Sequence, residues 1–257
     1  MEKQAEHGYV LTKYKTPDLT YQTPMPKPRL GETFLIHDSG KNYSCRFLIF
    51  GSTTAVSDMV KSRHFAVDGT FRCSPSMFCQ LFTLHIMENN ACMPRIFGLL
   101  SNKTGETYVW FFITLKAKFP SFKHKSAMLE FERAVMNALR KVYSKIVLTG
   151  RLFHLAQSLC RKITELGFKK QYETDETFNK GIQNFRSLTF LPENDVIDAF
   201  CDLSNDERIP SEIINYFELN YTSVERGSRN NWKREPGTFP IELLNVLDRT
   251  MSLSSEP

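Results

Sequence analysis

Hydrophobic and polar positions alternate through the middle of the chain in a pattern that predicts three consecutive β-strands. The alternation runs through three stretches rich in β-branched and aromatic residues, "HFAVDGTFRCS", "MFCQLFTLHIM" and "CMPRIFGLLS". Short polar breaks separate these stretches, so the strands are expected to pair as an antiparallel meander. Upstream, "FLIHDSG" and "SCRFLIFGS" predict a strand pair, and "TTAVSDMVKS" predicts a short helix opened by a threonine cap.

Beyond the meander the apolar spacing changes to that of helices. A helix capped by Thr104 is predicted in "TGETYVWFFITLKAKF", and apolar residues three and four apart predict another in "EFERAVMNALRKVY". "KIVLTG" predicts a short strand, and the helix in "RLFHLAQSLCRKITELG" is expected to stop at Gly167. Residues 172–220 read as helical, "RGSRNNWKREPGTFP" as a loop, and "IELLNVLDRT" as a last short helix or strand. This order predicts an α/β fold.

Composition divides the chain into four predicted segments. Residues 1–30 form a Pro/Thr-rich arm that offers little apolar surface and is expected to pack poorly. Residues 31–63 form a strand and helix flank, residues 64–170 the core, and residues 171–257 a helical insertion with the C-terminal part.

Charge and cysteine usage narrow the class of protein. The 257 residues carry a formal net charge of +5, which is compatible with a nucleic-acid partner. The six cysteines are scattered without a Cys-x-x-Cys pair, so a reducing compartment is expected rather than a disulfide scaffold. The beginning of the chain has no signal-peptide pattern, and no apolar run is long enough for a transmembrane helix. We therefore predict a nuclear or cytoplasmic protein with no membrane partner.

Asp68 is the first candidate for chemistry, because it interrupts an apolar strand. On that strand Ala66, Asp68 and Thr70 share one face, which leaves room beside the carboxylate for an ion. An Asp before Gly69 is equally typical of a turn. Metal-dependent phosphoryl transfer needs a second carboxylate at the same place.

Several stretches resemble the transposases of Mutator-like elements, the MULE domain family, from about residue 46 to about residue 250. They are "VDGTF", "QLFTLHI", "MPRIFGLLSNKTGETYVWFF", "EFERAVMNAL", "LFHLAQSLCRKITELG", "LTFLPENDVIDAF" and "FPIELLNVLDRT". The resemblance implies a ribonuclease H-like core, in which a mixed sheet begins with a three-strand antiparallel meander and continues as αβαβα, with a helical insertion. It also implies an Asp, Asp, Glu triad that binds Mg²⁺ or Mn²⁺ for DNA cleavage and strand transfer.

The resemblance assigns roles to three residues. Asp68 matches the first metal ligand, in the family's Asp-Gly-Thr-Phe. Glu130 stands where the family has its second Asp, so it is a metal ligand or, alternatively, a solvated acid at a helix start. His154 matches the His of the family's Cys-x-x-His pair and positions substrate phosphate or simply packs. Arg151 replaces the Cys of that pair, so no zinc site is expected.

The third acid has no counterpart at the family's position. The family has an Asn-Asn-x-x-Glu stretch after "FP-x-E-L-W-N-V", whereas here "FPIELLNVLDRT" has Leu244 for the Trp and is followed by "MSLSSEP". These departures predict a truncated and catalytically impaired transposase domain. One alternative is a domesticated DNA- or protein-binding module without catalysis. Another is a nuclease of the same fold that uses Asp68, Glu130 and a different acid, Glu218 or Glu225.

Basic residues around an aromatic side chain suit contact with a nucleic-acid backbone. The candidates for weak, non-specific DNA binding are Arg226, Arg229, Trp232, Lys233 and Arg234. A smaller basic group, Lys123 to Lys125 with His124 between, precedes Glu130. A solvated loop is the alternative for the first group, and self-association is left open.

Overall fold

The structure is a computed structural model that describes residues 34–71, 73–88, 91–228 and 231–246. The predicted arm, Arg229 and the residues after 246 lie outside the described part of the chain. The chain divides into two compact units at the boundary between Val147 and Leu148. The segment boundaries after residues 30, 63 and 170 stay predictions.

Seven strands form one mixed sheet, in the spatial order β1-β2-β5-β4-β3-β6-β7. The strands are β1 (Leu35–Asp38), β2 (Phe47–Phe50), β3 (His64–Thr70), β4 (Gln80–Glu88), β5 (Ala91–Leu100), β6 (Ser126–Leu129) and β7 (Val147–Gly150). The pairs β1–β2, β2–β5, β5–β4 and β4–β3 are antiparallel, whereas β3 and β6 are parallel. The predicted strand pair and the predicted meander are therefore confirmed.

Three helices belong to the first unit: α1 (Thr53–Lys61), α2 (Gly105–Lys118) and α3 (Arg133–Val142). The cap of α2 is Thr104 as predicted, and its hydroxyl accepts a hydrogen bond from the Thr107 N–H at 3.3 Å. The cap of α1 is Ser52 rather than a threonine, because the Ser52 hydroxyl accepts from the Ala55 N–H at 3.1 Å.

Helix α2 packs its aromatic side chains on the centre of the sheet. Phe82, Phe111 and Phe112 form a cluster of edge-to-face rings, with centroids 5.5–6.1 Å apart. The ring of Phe111 lies directly over Gly98 of β5, where a Cβ atom would come within 2.6 Å of the ring. A side chain at position 98 would therefore displace the helix that covers β4 and β5.

The described residues of the second unit form helices and a β-hairpin. Its helices are α4 (Leu152–Glu165), α5 (Lys169–Thr174), α6 (Glu176–Ser187), α7 (Val196–Ser204), α8 (Ser211–Tyr221) and α9 (Ile241–Leu244), with 3-10 turns at Leu188–Phe190 and Glu193–Asp195. Helix α4 is followed by Gly167 with a φ of 84°, as its predicted stop requires. Phe185, Phe200 and Phe217 pack together at the centre of this unit.

The loop predicted at residues 226–240 is wrong for the part that lies in two strands. Strands β8 (Ser223–Ser228) and β9 (Asn231–Pro236) pair antiparallel there, so the C-terminal part is not all-helical. Main-chain hydrogen bonds form such a hairpin without an apolar pattern, and the charged sequence therefore resembled a loop. Among the described residues, no helix combines the length and the apolar composition needed to cross a bilayer.

Candidate metal centre

The parallel pairing of β3 and β6 brings the two candidate acids together. Its register places His64 opposite Ser126, Phe65 opposite Ala127 and Ala66 opposite Met128. The same register extended by two residues places Asp68 opposite Glu130, where both strands reach their carboxyl ends. Parallel neighbours in register point their side chains to the same face of a sheet.

The carboxyl groups of Asp68 and Glu130 are hydrogen-bonded to each other. Their ligand oxygens lie within 4.8 Å, close enough to share one cation. A hydrogen bond between two carboxyl groups needs one proton, so this arrangement favours the protonated form of one of the two acids. The Gly69 N–H also donates to the Glu130 carboxylate and fixes its orientation.

The electrostatics of the pair favour the protonated form of Glu130. Burial, and then the hydrogen bond and negative charge of Asp68, raise the pKa of Glu130 from 4.5 to about 7. The nearby Glu132 carboxylate acts in the same direction, whereas the Gly69 N–H opposes the shift. A cation bound to both carboxylates would offset the repulsion between Asp68 and Glu130.

Glu130 is paired with Asp68, whereas the alternative interpretation describes it as a solvated acid at a helix start. It is partly buried and lies before the first residue of α3, while Glu132 is the residue that precedes the helix. The ligand oxygens of Asp68 and Glu130 lie within 4.8 Å, so the extra methylene of Glu relative to Asp does not prevent contact. That both residues are metal ligands stays a prediction.

Residues 64–158 match the family model of the MULE transposase domain. This segment is therefore similar to MULE transposase domains. It covers a little over a third of the chain, and it includes Asp68, Glu130 and His154. None of the curated proteins matches the chain. The resemblance of residues 46–63 and 159–250 to the same family stays a prediction.

A transposase domain implies interaction with DNA and suggests a divalent metal. The carboxylate oxygens of Asp68 and Glu130 are hard donors, which fit Mg²⁺ or Mn²⁺ better than a thiophilic ion. In the described part of the first unit, no further Asp, Glu, His or Cys joins these two within ligand distance. Water and substrate oxygens would complete the coordination of an ion, as is usual for Mg²⁺.

His154, within the segment that matches the MULE family model, lies in the first turn of α4, in the second unit. The main-chain N–H of His154 donates to the Arg151 carbonyl at 3.0 Å, and the centroid of its ring lies 5.3 Å from that of Phe153. Both side chains, His154 and Arg151, are partly buried. Its role in phosphate positioning stays a prediction.

Four of the candidate DNA-binding residues lie on the strands of the β8–β9 hairpin, namely Arg226, Trp232, Lys233 and Arg234. Main-chain pairing sets Arg226 opposite Lys233, Gly227 opposite Trp232, and Glu225 opposite Arg234. Glu218, one of the two alternative third acids, lies on α8, the helix that precedes the hairpin. The hairpin thus brings two cationic residues, one from each strand, to the same level.

The basic group before Glu130 contains one residue that is not basic in the fold. The His124 ring packs against Phe122 at 3.9 Å and Phe65 at 4.7 Å. This burial lowers the pKa of His124 to about 4, so the imidazole is neutral at physiological pH. Lys123 and Lys125 on either side are exposed.

Three side chains beside the metal centre were missed by sequence reasoning. Gln80, Tyr108 and Glu132 form a hydrogen-bonded chain next to Gly69. The available signals were a lone amide opening the apolar stretch "QLFTLHI" and a tyrosine among phenylalanines in "TYVWFF". A buried polar side chain is informative, but the sequence does not show which polar groups meet.

Proposed function

We propose that this chain is a transposase-derived domain that binds one divalent cation, Mg²⁺ or Mn²⁺, through Asp68 and Glu130 and contacts DNA. The observation that carries this proposal is the hydrogen-bonded carboxyl pair at the ends of two parallel strands. The pair lies inside the segment that matches a transposase domain. Its raised pKa is the behaviour expected of two acids held together for a cation.

We also propose that the first unit has a ribonuclease H-like fold. Three observations support this assignment: the antiparallel meander β3-β4-β5, the helix α2 that follows it, and the return of β6 parallel to β3. In such a fold the acids at the carboxyl ends of the central strands would meet on one side of the sheet.

Binding of the cation by Asp68 and Glu130 is expected to be linked to a proton. The proton that the two carboxyl groups share must leave when the cation enters, so affinity should rise with pH. The Gly69 N–H then holds the Glu130 carboxylate in place for the ion. When bound, the cation would act as a Lewis acid that polarises a phosphate oxygen of DNA.

We propose that strand transfer by this chain is impaired. Glu130 replaces the Asp that the resemblance predicts, and its extra methylene places the ligand oxygens farther from the main chain. A displacement of about 1 Å costs roughly 10²-fold in rate. Loss of catalysis with retention of DNA contact would favour the alternative of a domesticated binding module.

We also propose a nuclear or cytoplasmic location, because the scattered cysteines suit a reducing compartment.

Titration calorimetry with Mn²⁺ tests the metal site directly. The protein is expected to bind one Mn²⁺, and Asp68→Ala is expected to weaken binding by at least about tenfold, because a direct carboxylate ligand is lost. Glu106→Gln is the matched control, since Glu106 is an exposed acid in the first turn of α2. Equal affinity in the protein and in Asp68→Ala would refute the site.

A nicking and strand-transfer assay on labelled duplex DNA tests the catalytic part of the proposal. With Mg²⁺ or Mn²⁺ in turn, the protein is expected to give no strand transfer above the level of Asp68→Ala. Robust Mg²⁺-dependent transfer that disappears in Asp68→Ala would show that the domain is catalytically competent.

DNA binding is expected to be weak, independent of sequence and steeply dependent on salt. Fluorescence anisotropy should give a dissociation constant on the order of 10⁻⁵ M at ~0.15 M salt. Replacing Arg226 and Lys233 with Gln should lower the salt slope by about one for each lost phosphate contact. The control is Lys180→Gln, because Lys180 pairs with Glu176 at 2.7 Å on α6. Tight binding to one sequence would contradict the non-specific mode.

A further inference from the structure

Three polar side chains in the first unit are linked by hydrogen bonds into a series. The Gln80 amide donates to the Tyr108 hydroxyl at 2.7 Å, and that hydroxyl donates to the Glu132 carboxylate at 2.9 Å. Gln80 and Tyr108 are fully buried. The hydrogen bonds therefore connect β4, α2 and the segment between β6 and α3, from the buried Gln80 to the partly exposed Glu132.

The two ends of this hydrogen-bonded series lie beside the two acids of the metal centre. At one end, the Gln80 side-chain oxygen lies 2.8 Å from the place where a Cβ of Gly69 would be, so the amide rests on the residue after Asp68. At the other end, the Glu132 N–H donates to the Glu130 carbonyl at 2.7 Å in a tight turn. Each end thus contacts the main chain next to one acid.

Packing alone does not account for these polar groups. Tyr108 lies against the ring of Phe82, with centroids 5.3 Å apart, and phenylalanine would fill the same space. The Gln80 side-chain oxygen is buried without a hydrogen-bond partner among the described residues, which is unfavourable for folding. Buried polar networks that are retained despite such a cost often specify one arrangement of the chain.

We propose that Gln80, Tyr108 and Glu132 are positioning residues that hold the Glu130 main chain at the distance from Asp68 at which both carboxylates serve one divalent cation. This inference rests on the proposed metal-binding function. The hydroxyl of Tyr108 is the central link, since it is bonded on both sides. Its removal would release the Glu130 turn while leaving the ligands themselves intact.

The experiment compares Tyr108→Phe with Tyr143→Phe. Both variants delete one buried hydroxyl of the first unit, but the Tyr143 hydroxyl has no partner among the described residues. Tyr108→Phe is expected to weaken Mn²⁺ binding about tenfold, as loss of a supporting hydrogen bond does at other metal sites. Tyr143→Phe should keep the affinity of the unaltered protein. Equal Mn²⁺ affinity in both variants, with both folded, would overturn the proposal.

Hydrogen exchange without metal gives a second, independent readout. In Tyr108→Phe the Glu132 amide is expected to exchange about tenfold faster, while the amides of β4 and β5 change little. If the unaltered protein binds no Mn²⁺, the proposed function fails, but the exchange comparison still decides whether the three residues hold the turn. An unchanged Glu132 amide would refute the positioning role.

Substitution of Glu132 separates its hydrogen bond from its charge. Glu132→Gln keeps an oxygen that accepts from Tyr108, whereas Glu132→Ala does not. We expect Glu132→Gln to retain Mn²⁺ affinity within about threefold, and Glu132→Ala to lose about tenfold. Equal losses would show that Glu132 acts through its charge on the cation, which would overturn its assignment as a positioning residue. Glu132 is partly exposed, so these variants also serve if Tyr108→Phe fails to fold.

Discussion

Replacing Phe111 with Ala is expected to lower the free energy of unfolding by about 3–5 kcal/mol, since deleting a fully buried aromatic ring leaves a cavity. The Phe111 ring has no exposed surface, and it contacts the rings of Phe47, Phe82 and Phe112 at centroid distances of 5.5–5.9 Å. The ring also lies over Gly98, which has no side chain that could fill the cavity left by the truncation. Chemical denaturation at fixed pH measures the loss.

The matched control for Phe111→Ala is Ile113→Ala on the same helix. Ile113 is 39% exposed, so its truncation should cost well under the loss at Phe111. Similar losses in both variants would contradict the packing of α2 on the sheet through Phe111. The test bears on the metal centre, because α2 also carries Tyr108.

The elements of the first unit were predictable because local patterns determine them. Alternating apolar residues with polar breaks gave the meander, and Thr104 three residues before Thr107 gave the cap of α2. Partnering between distant strands was not predictable in this way. The placement of Asp68 opposite Glu130 depends on the register of β3 and β6, which many contacts across the sheet fix together.

Charge patterns in the sequence gave a less accurate account of the structure. His124 between two lysines suggested a basic surface, yet its ring packs between Phe65 and Phe122 and its pKa falls to about 4. The hairpin of β8 and β9 was missed for a related reason, since charged residues pair through the main chain as well as apolar ones. Residue type alone shows neither the burial of a side chain nor the pairing of the main chain, so it misassigned both features.

Family resemblance and structure contributed different parts of the candidate site. The resemblance singled out Asp68 and Glu130, but it left open whether Glu130 was a solvated acid. The hydrogen bond between their carboxyl groups favours a paired acid, while the role of Glu130 as a metal ligand stays a prediction. The supporting chain of Gln80, Tyr108 and Glu132 has no sequence signature, because its members come from three separate elements.

The shared proton of the acid pair predicts an unusual dependence of stability on pH. In the folded protein the pKa of Glu130 is raised from 4.5 to about 7, first by burial and then by Asp68. Folding therefore favours the protonated form. The stabilising contribution is fully present below pH 4.5 and is lost as the pH rises through 7. Because Glu130 is partly exposed and solvent screens the interaction, we expect a loss of about 2 kcal/mol between pH 5 and pH 8.

Urea denaturation of the metal-free protein and of Glu130→Gln across this pH range measures the effect. The side chain at position 130 cannot ionise in Glu130→Gln. Between pH 5 and pH 8 the free energy of unfolding of this variant should therefore fall by about 2 kcal/mol less than that of the unaltered protein. Glu106→Gln, which removes an exposed acid of α2, should keep the original slope. Mn²⁺ at about 100 times its dissociation constant should add about 2.7 kcal/mol at pH 8, because it binds the folded state and replaces the proton. Parallel pH profiles for the unaltered protein and Glu130→Gln would show that the two carboxyl groups do not share a proton.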